Sequence, residues 1–140
     1  MNKIMFAFLW IFLVQPVYGR IIKIVTVSQL DFGTAAQGDP SKQVLPGTTD
    51  NAANASFLVT GDNNRAFTIA LPVTAVNIQT GTGPTLDTIA LSSFASFPSG
   101  SGALDAAGNR TLLVGATRAA LRVNQRAGLY SGSYTITVVY

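Results

Sequence analysis

Carboxylates are the side chains of this sequence that could do acid–base chemistry, because the chain contains neither His nor Cys. Without those residue types, no Ser–His–Asp or Cys–His site can form, and no zinc site of the usual nitrogen- and sulfur-donor kind. Paired carboxylates could still act as general acid and base, as they do in glycoside hydrolysis. All six acidic residues are aspartates: Asp31, Asp39, Asp50, Asp62, Asp87 and Asp105.

The surroundings of these aspartates favour turns over catalysis. Asp62 stands between Gly61 and Asn63, and Asp105 is followed closely by Gly108 and Asn109, residue types that form tight turns. Neither Lys23 nor Lys42 has the S-x-x-K spacing of a Ser–Lys site, and calcium-loop and phosphate-loop motifs are absent from the sequence. The sequence therefore predicts no catalytic, cofactor-binding or metal-binding residues. An Asp-based enzyme is the remaining enzymatic alternative.

The elements that must position these residues are predicted to be strands. The last eight residues alternate, and one face of the resulting strand would point into a core. That inward face consists of Tyr134, Ile136, Val138 and Tyr140. Ser133, Thr135 and Thr137 form the opposite, outward face.

A hairpin is predicted from residues 55–60 and 65–71, because they flank a Gly-Asp-Asn-Asn turn. Its inward residues would include Phe57, Val59 and Phe67. Further strands are predicted at residues 74–79, 85–91, 111–115 and 119–124, with a short one at 43–45. Clusters of Gly and Pro separate many of them, which is typical of a sandwich. The fold class is thus all-β, an immunoglobulin-like (pilin-like) antiparallel β-sandwich of about seven strands.

Residues 116–127 allow a second structure. Arg118, Arg122 and Arg126 stand four residues apart and would line one face of a helix. A strand here would instead point Ala119, Leu121 and Val123 inward and Arg118, Arg122 and Asn124 outward. We predict the strand, and the helix is the alternative.

Residues 1–19 have the pattern of a secretory signal peptide. Lys3 precedes an apolar run too short for the roughly 20 residues of a membrane span. Val17 and Gly19 supply the small residues at positions −3 and −1 of a cleavage site. Residues 20–140 would then be one domain, exported through the periplasm to the cell surface or medium, with no membrane span. An uncleaved anchor is the alternative.

The composition argues against a nucleic-acid partner. The net charge is only +3 and charged residues make up 11% of the chain, too few for a strong phosphate-binding surface. An exported protein could form disulfides, but this one has no Cys. Packing and strand pairing must therefore stabilise it.

The predicted first strand, over residues 20–27, is unusually apolar on both faces. Such a strand would pair with other molecules if its edge were left exposed. Either it pairs within its own sandwich or it is offered to a neighbour. The candidate assembly residues are its five β-branched aliphatic side chains: Ile21, Ile22, Ile24, Val25 and Val27.

Several motifs together resemble one bacterial family. They are L-D-F-G at residues 30–33, the stretch 55–72, L-L-V-G at residues 112–115 and the ending A-G-L-Y-S-G-S-Y-T-I-T-V-V-Y at residues 127–140. Over nearly all of residues 21–140 the chain resembles a family of secreted bacterial domains of unknown function. That family is similar to spore-coat-U-like domains and to the subunits of archaic chaperone–usher pili.

The resemblance implies a non-enzymatic structural subunit of a surface fibre or coat. In such pilins the N-terminal strand of the next subunit completes an incomplete sandwich, so the partners would be further copies of the chain, a periplasmic chaperone and an usher. This chain departs from those pilins because it has no Cys and only ten residues, 20–29, before Leu30. The alternative is a self-contained secreted binding module of unknown ligand.

Overall fold

The secondary structure is almost entirely strand. The computed structural model describes residues 19–140, so the predicted signal peptide lies outside the described residues except for Gly19. The strands are β1 Lys23–Ser28, β2 Lys42–Val44, β3 Ala55–Thr60, β4 Ala66–Ala70, β5 Val76–Thr80, β6 Asp87–Phe97, β7 Ser101–Ala103, β8 Asn109–Arg118 and β9 Thr137–Val139. One 3-10 turn, Gly83–Thr85, precedes β6. No helix in the described part of the chain has the length and hydrophobicity to span a membrane.

The strands form two antiparallel sheets of unequal size. The large sheet has six strands in the order β1-β3-β8-β6-β5, with β2 paired to the end of β8 beyond β3. The small sheet has three strands in the order β7-β4-β9. The all-β sandwich predicted from strand periodicity is confirmed. The described residues contain nine strands, where about seven were predicted. β2 corresponds to the short strand predicted at residues 43–45, whereas β7 was not predicted.

The core lies between the two sheets, where side chains of β3 and β8 meet those of β4 and β9. Residues at every second position of these strands point inward, as strand geometry requires. The buried cluster contains Ala55, Phe57, Val59, Phe67, Leu104, Leu112, Val114 and Val138. The predicted inward positions of Phe57, Val59 and Phe67 are therefore confirmed.

The predicted hairpin of residues 55–60 and 65–71 is wrong, although both of its strands exist. β3 lies in the large sheet between β1 and β8, and β4 lies in the small sheet between β7 and β9. The turn at residues 61–65 carries the chain from one sheet to the other. This arrangement buries Phe57 and Phe67 from opposite sides of one core, which two arms of a flat hairpin could not do.

Two further expectations need correction. Residues 119–124 form neither the predicted strand nor the alternative helix, because β8 ends at Arg118 and the following loop bonds elsewhere. Its main chain pairs with the loop before β2: Gly38 N–H donates to Arg122 O at 3.1 Å, and Leu121 N–H donates to Asp39 O at 2.8 Å. The C-terminal strand is also shorter than predicted, since only Thr137–Val139 pair with β4.

Candidate functional site

An open groove lies where the small sheet leaves part of the large sheet uncovered. Opposite β5 and β6 the chain provides irregular segments, residues 29–35 and 126–134, and these form the groove walls. The apolar side chains of the floor are Val76, Ile78, Ile89 and Leu91. The groove has a volume of about 580 Å³, which is within the range of roughly 300–1,000 Å³ typical of ligand sites.

The main chain of both walls has few internal partners. Within the described residues, the main chain of residues 132–135 makes no backbone–backbone hydrogen bond. Residues 30–35 make one, from Asp31 N–H to Ala53 O at 2.9 Å. Only Ser131 is paired along this edge of β5, through two bonds with Gln79 at 2.9 and 3.0 Å. Side chains bond two further groups of residues 30–35, since Gly33 N–H donates to Asp31 Oδ1 and Phe32 O accepts from Lys42 Nζ. A chain lying in the groove would thus find donors and acceptors that lack main-chain partners on both sides.

Arg118 lies beside the groove floor with its charge buried. The residue is 5% exposed, and its guanidinium donates to Ala119 O at 3.2 Å and to Pro40 O at 3.0 Å. Its Nε–H has no hydrogen-bond partner within residues 19–140. Neither salt bridge of residues 19–140 involves Arg118. A buried cation with an unsatisfied donor is costly, so this group is suited to bind an acceptor that enters the groove.

Asp87 holds one wall in place. Its carboxylate accepts hydrogen bonds from Arg126 N–H at 2.8 Å, from Gln125 Nε2 at 2.8 Å and from Tyr130 Oη at 3.1 Å, and it forms a salt bridge with Arg122. The Arg126 N–H in particular lowers the pKa of Asp87 from its ordinary value of 3.8. The loop after β8 is therefore fixed to the start of β6 by one ionised carboxylate.

The Asp87 contacts give the wall an acid-sensitive attachment. The pKa of Asp87 is lower in the folded state than its ordinary value of 3.8. Its ionised carboxylate therefore stabilises the folded state fully above pH 3.8, and this stabilisation is lost as the pH falls through the lowered pKa. We expect Asp87→Asn to remove this part of the pH dependence of unfolding. Urea denaturation across the acid range would measure it, with Asp50→Asn as a control outside the wall. Equal profiles for both variants would contradict the attachment.

The five predicted assembly residues lie on and just before β1, at the edge of the large sheet. β1 pairs with β3 over the register Lys23–Thr60 to Ser28–Ser56, with an irregularity at Val27. Ile22 and Ile24 are half-buried against the core. Ile21, Val25 and Val27 are 79%, 57% and 61% exposed. The other edge of β1 pairs with no strand among the described residues.

Comparison with known proteins identifies the family. The model of a family described as "Domain of unknown function (DUF4402)" matches residues 22–140. The chain belongs to this family. No curated protein and no solved structure matches the chain.

The C-terminal segment of this DUF4402 domain runs from the groove wall into the core. Tyr134 is half-buried, with its ring centroid 5.1 Å from that of Phe94, and burial raises the pKa of its hydroxyl to about 12. Ile136 is half-buried and Val138 is buried. Tyr140 is 37% exposed, and its hydroxyl accepts a hydrogen bond from Asp62 N–H at 2.5 Å.

The Tyr140 contact belongs to a polar cluster at the turn after β3. The Arg65 guanidinium lies 4.1 Å from the centroid of the Tyr140 ring and contacts Asp62 at 3.0 Å. Asp62 also accepts a hydrogen bond from Arg20 N–H, which lowers the pKa of that carboxyl. These contacts tie Arg20 and Tyr140 to one turn. Within residues 19–140 no group of three or more metal-binding side chains comes together.

The outward position expected for Arg118 is wrong, since the residue is 5% exposed, although the sequence carries a signal for its burial. Leu112, Val114 and Ala116 alternate along β8 and all point inward. Position 118 continues that alternation, so an arginine there must be buried against the inner face of the sheet. Assigning residues 116–127 to a separate element hid this continuation.

Proposed function

We propose that the chain is a non-enzymatic structural subunit of a bacterial surface fibre or coat, assembled by strand addition. In this proposal, β1 of one copy enters the open groove of the next. The observation that carries it is the groove itself, which combines an apolar floor with unpaired main chain on both walls. Main-chain pairing would give affinity, and pockets for alternate side chains would give specificity.

The resemblance of the sequence motifs to spore-coat-U-like domains and archaic chaperone–usher pilins supports the same proposal. It implies export through the periplasm, an immunoglobulin-like topology, and a chaperone and usher as partners. A chaperone would cover the groove before assembly, because an open apolar groove with free main chain invites unwanted pairing.

β1 is suited to exchange because it contributes little to its own core. None of its residues is fully buried, and its outward apolar side chains face solvent. Fully burying an aliphatic side chain of this size stabilises by about 1.5–3 kcal/mol. A strand held between two walls would bury more of its side chains than one at a sheet edge. Transfer of β1 to a neighbouring groove would therefore be favourable when copies are concentrated.

A disulfide that keeps β1 paired with β3 of its own chain tests the proposal. Val25 and Leu58 are directly opposite each other in the β1–β3 pair, and both are outward and exposed. Because the chain has no Cys, Val25→Cys with Leu58→Cys can form only this one intramolecular bond. We expect the unsubstituted chain from Arg20 to form multimers as its concentration rises. The oxidised variant should remain monomeric by light scattering, and reduction should restore assembly.

The matched control joins β5 to β6 in the same sheet. Asn77 and Ala90 are opposite each other in that pair, so Asn77→Cys with Ala90→Cys leaves β1 free to move. This control should assemble like the unsubstituted chain. If the variant locked at β1 forms the same multimers, the donated strand is not β1 and the proposal is wrong.

The second candidate is a self-contained binding module. The observation that favours it is the pairing of β1 with its own β3, with Ile22 and Ile24 packed against their own core. The same measurement separates the candidates, since a module of this kind would be monomeric at every concentration with or without the disulfide.

A further inference from the structure

We infer that Arg118 is the residue by which the groove recognises an entering strand, through a hydrogen bond from its Nε–H to a main-chain carbonyl oxygen of that strand. This inference rests on the proposed function, since it names how the groove binds the N-terminal strand of a second copy. It also assigns a role to a buried cation that has no carboxylate partner among the described residues.

The position of Arg118 gives it access to the groove. It is the last residue of β8, paired on one side with Leu91 of the groove floor and on the other with Lys42 of β2. Its side chain continues the inward-facing row of Leu112, Val114 and Ala116. It lines the groove but is only 5% exposed, so water has little access to its Nε–H as a hydrogen-bond acceptor.

The chemistry of the existing contacts indicates which acceptor is missing. Both partners of the guanidinium are main-chain carbonyls, those of Ala119 and Pro40. Residues 20–29 contain no Asp or Glu, so the candidate strand has no carboxylate to offer. It does offer a row of main-chain carbonyls. One of these would complete the set of three oxygens around the guanidinium and satisfy the remaining donor.

The charge of Arg118 would also determine which face of the entering strand is turned into the groove. Lys23 alternates with Ile22 and Ile24, so the face of Lys23 carries a positive charge within β1, whereas the face of Ile22 and Ile24 carries one only at Arg20, before β1 begins. Burying Lys23 next to Arg118 would place two like charges in an apolar groove, which is strongly unfavourable. Ile22 and Ile24 therefore enter the groove, and Lys23 faces solvent.

The test adds a peptide of residues 20–29 to the full chain locked by the oxidised Val25→Cys/Leu58→Cys pair. In this protein β1 stays on β3, so the groove is open to the peptide. Titration calorimetry should show binding.

In the locked background, Arg118→Lys, which keeps the charge but removes the Nε–H, should weaken binding by about tenfold or more, the effect of leaving one buried hydrogen bond unmade. Arg110→Lys is the matched control, an exposed arginine near the start of β8 and outside the groove lining, and it should bind as the parent does.

A second measurement is independent of whether the variant folds well. The Arg118 Nε–H signal in proton–nitrogen NMR of the locked parent should move downfield and exchange more slowly with water when the peptide binds. A peptide with Ile24→Lys, which charges the entering face, should bind more weakly than one with Lys23→Ile.

The outcomes separate this inference from the proposed function. If the locked parent does not bind the peptide, strand addition to the groove is wrong and the role of Arg118 fails with it. If the peptide binds but the Arg118 Nε–H signal does not move and Arg118→Lys binds equally well, only the role of Arg118 is overturned. A moved signal together with weaker binding by Arg118→Lys supports both.

Discussion

Replacing Phe67 by Ala should lower the free energy of unfolding by about 3–5 kcal/mol. Phe67 is 1% exposed and lies on β4, the central strand of the small sheet, where its ring packs against the large sheet. Truncation would remove most of that contact and leave a cavity that two paired sheets cannot easily close. Because small domains have a total stability of about 5–15 kcal/mol, the variant should be close to unfolding.

Urea denaturation followed by circular dichroism would measure this loss. Val73→Ala is the control, since Val73 is 99% exposed in the loop before β5 and should change stability by no more than about 0.5 kcal/mol. Equal and small effects for the two variants would contradict the position of Phe67 between the sheets.

Gly115→Ala should also be destabilising, by about 1–3 kcal/mol, although it adds only one methyl group. Gly115 lies in the middle of β8 on the outer face of the large sheet. A Cβ there would come within 2.7 Å of Leu45 C and Pro46 N and would also collide with Val44 O. All three contacts are with main chain, so the segment after β2 would have to move away from the sheet.

Thr111→Ala is the matched control for Gly115→Ala, because Thr111 is an exposed residue on the same face of the same strand. Its effect should stay within about 0.5 kcal/mol. A Gly115→Ala variant as stable as this control would show that the segment after β2 does not cross the sheet so closely. The contact also gives a physical reason for the glycine that ends the L-L-V-G motif.

Strand faces could be predicted from the sequence, but strand partners could not. Alternation placed Phe57, Val59 and Phe67 inward correctly, because each strand must turn its apolar face to a core. The same alternation is satisfied whether two consecutive strands pair with each other or face each other across the core. The turn residues at 61–64 fit both arrangements, so the hairpin prediction had no local signal against it.

The groove could not be predicted because it depends on the relative widths of two sheets. Residues 119–130 carry apolar and basic side chains that suit a strand or a helix, yet they form an irregular segment that leads into the groove wall and is bonded to Asp87 and to the loop before β2. Asp87 stands far from these residues in the sequence, within the strand predicted over residues 85–91. Long-range partners of this kind leave no periodic pattern in the chain.

The central place of β8 has a consequence for hydrogen exchange. β8 is bonded on one side to β3 and β2 and on the other to β6, and residues 112–116 are all buried. Its amides should exchange only when the whole domain unfolds, while those of β1 and of the groove walls exchange through small local openings. The hydrogen-bonding groups that open most readily are thus the ones that a neighbouring molecule would engage. Binding of a neighbouring molecule should therefore slow the hydrogen exchange of amides in β1 and the groove walls, while the exchange of amides in β8 stays unchanged.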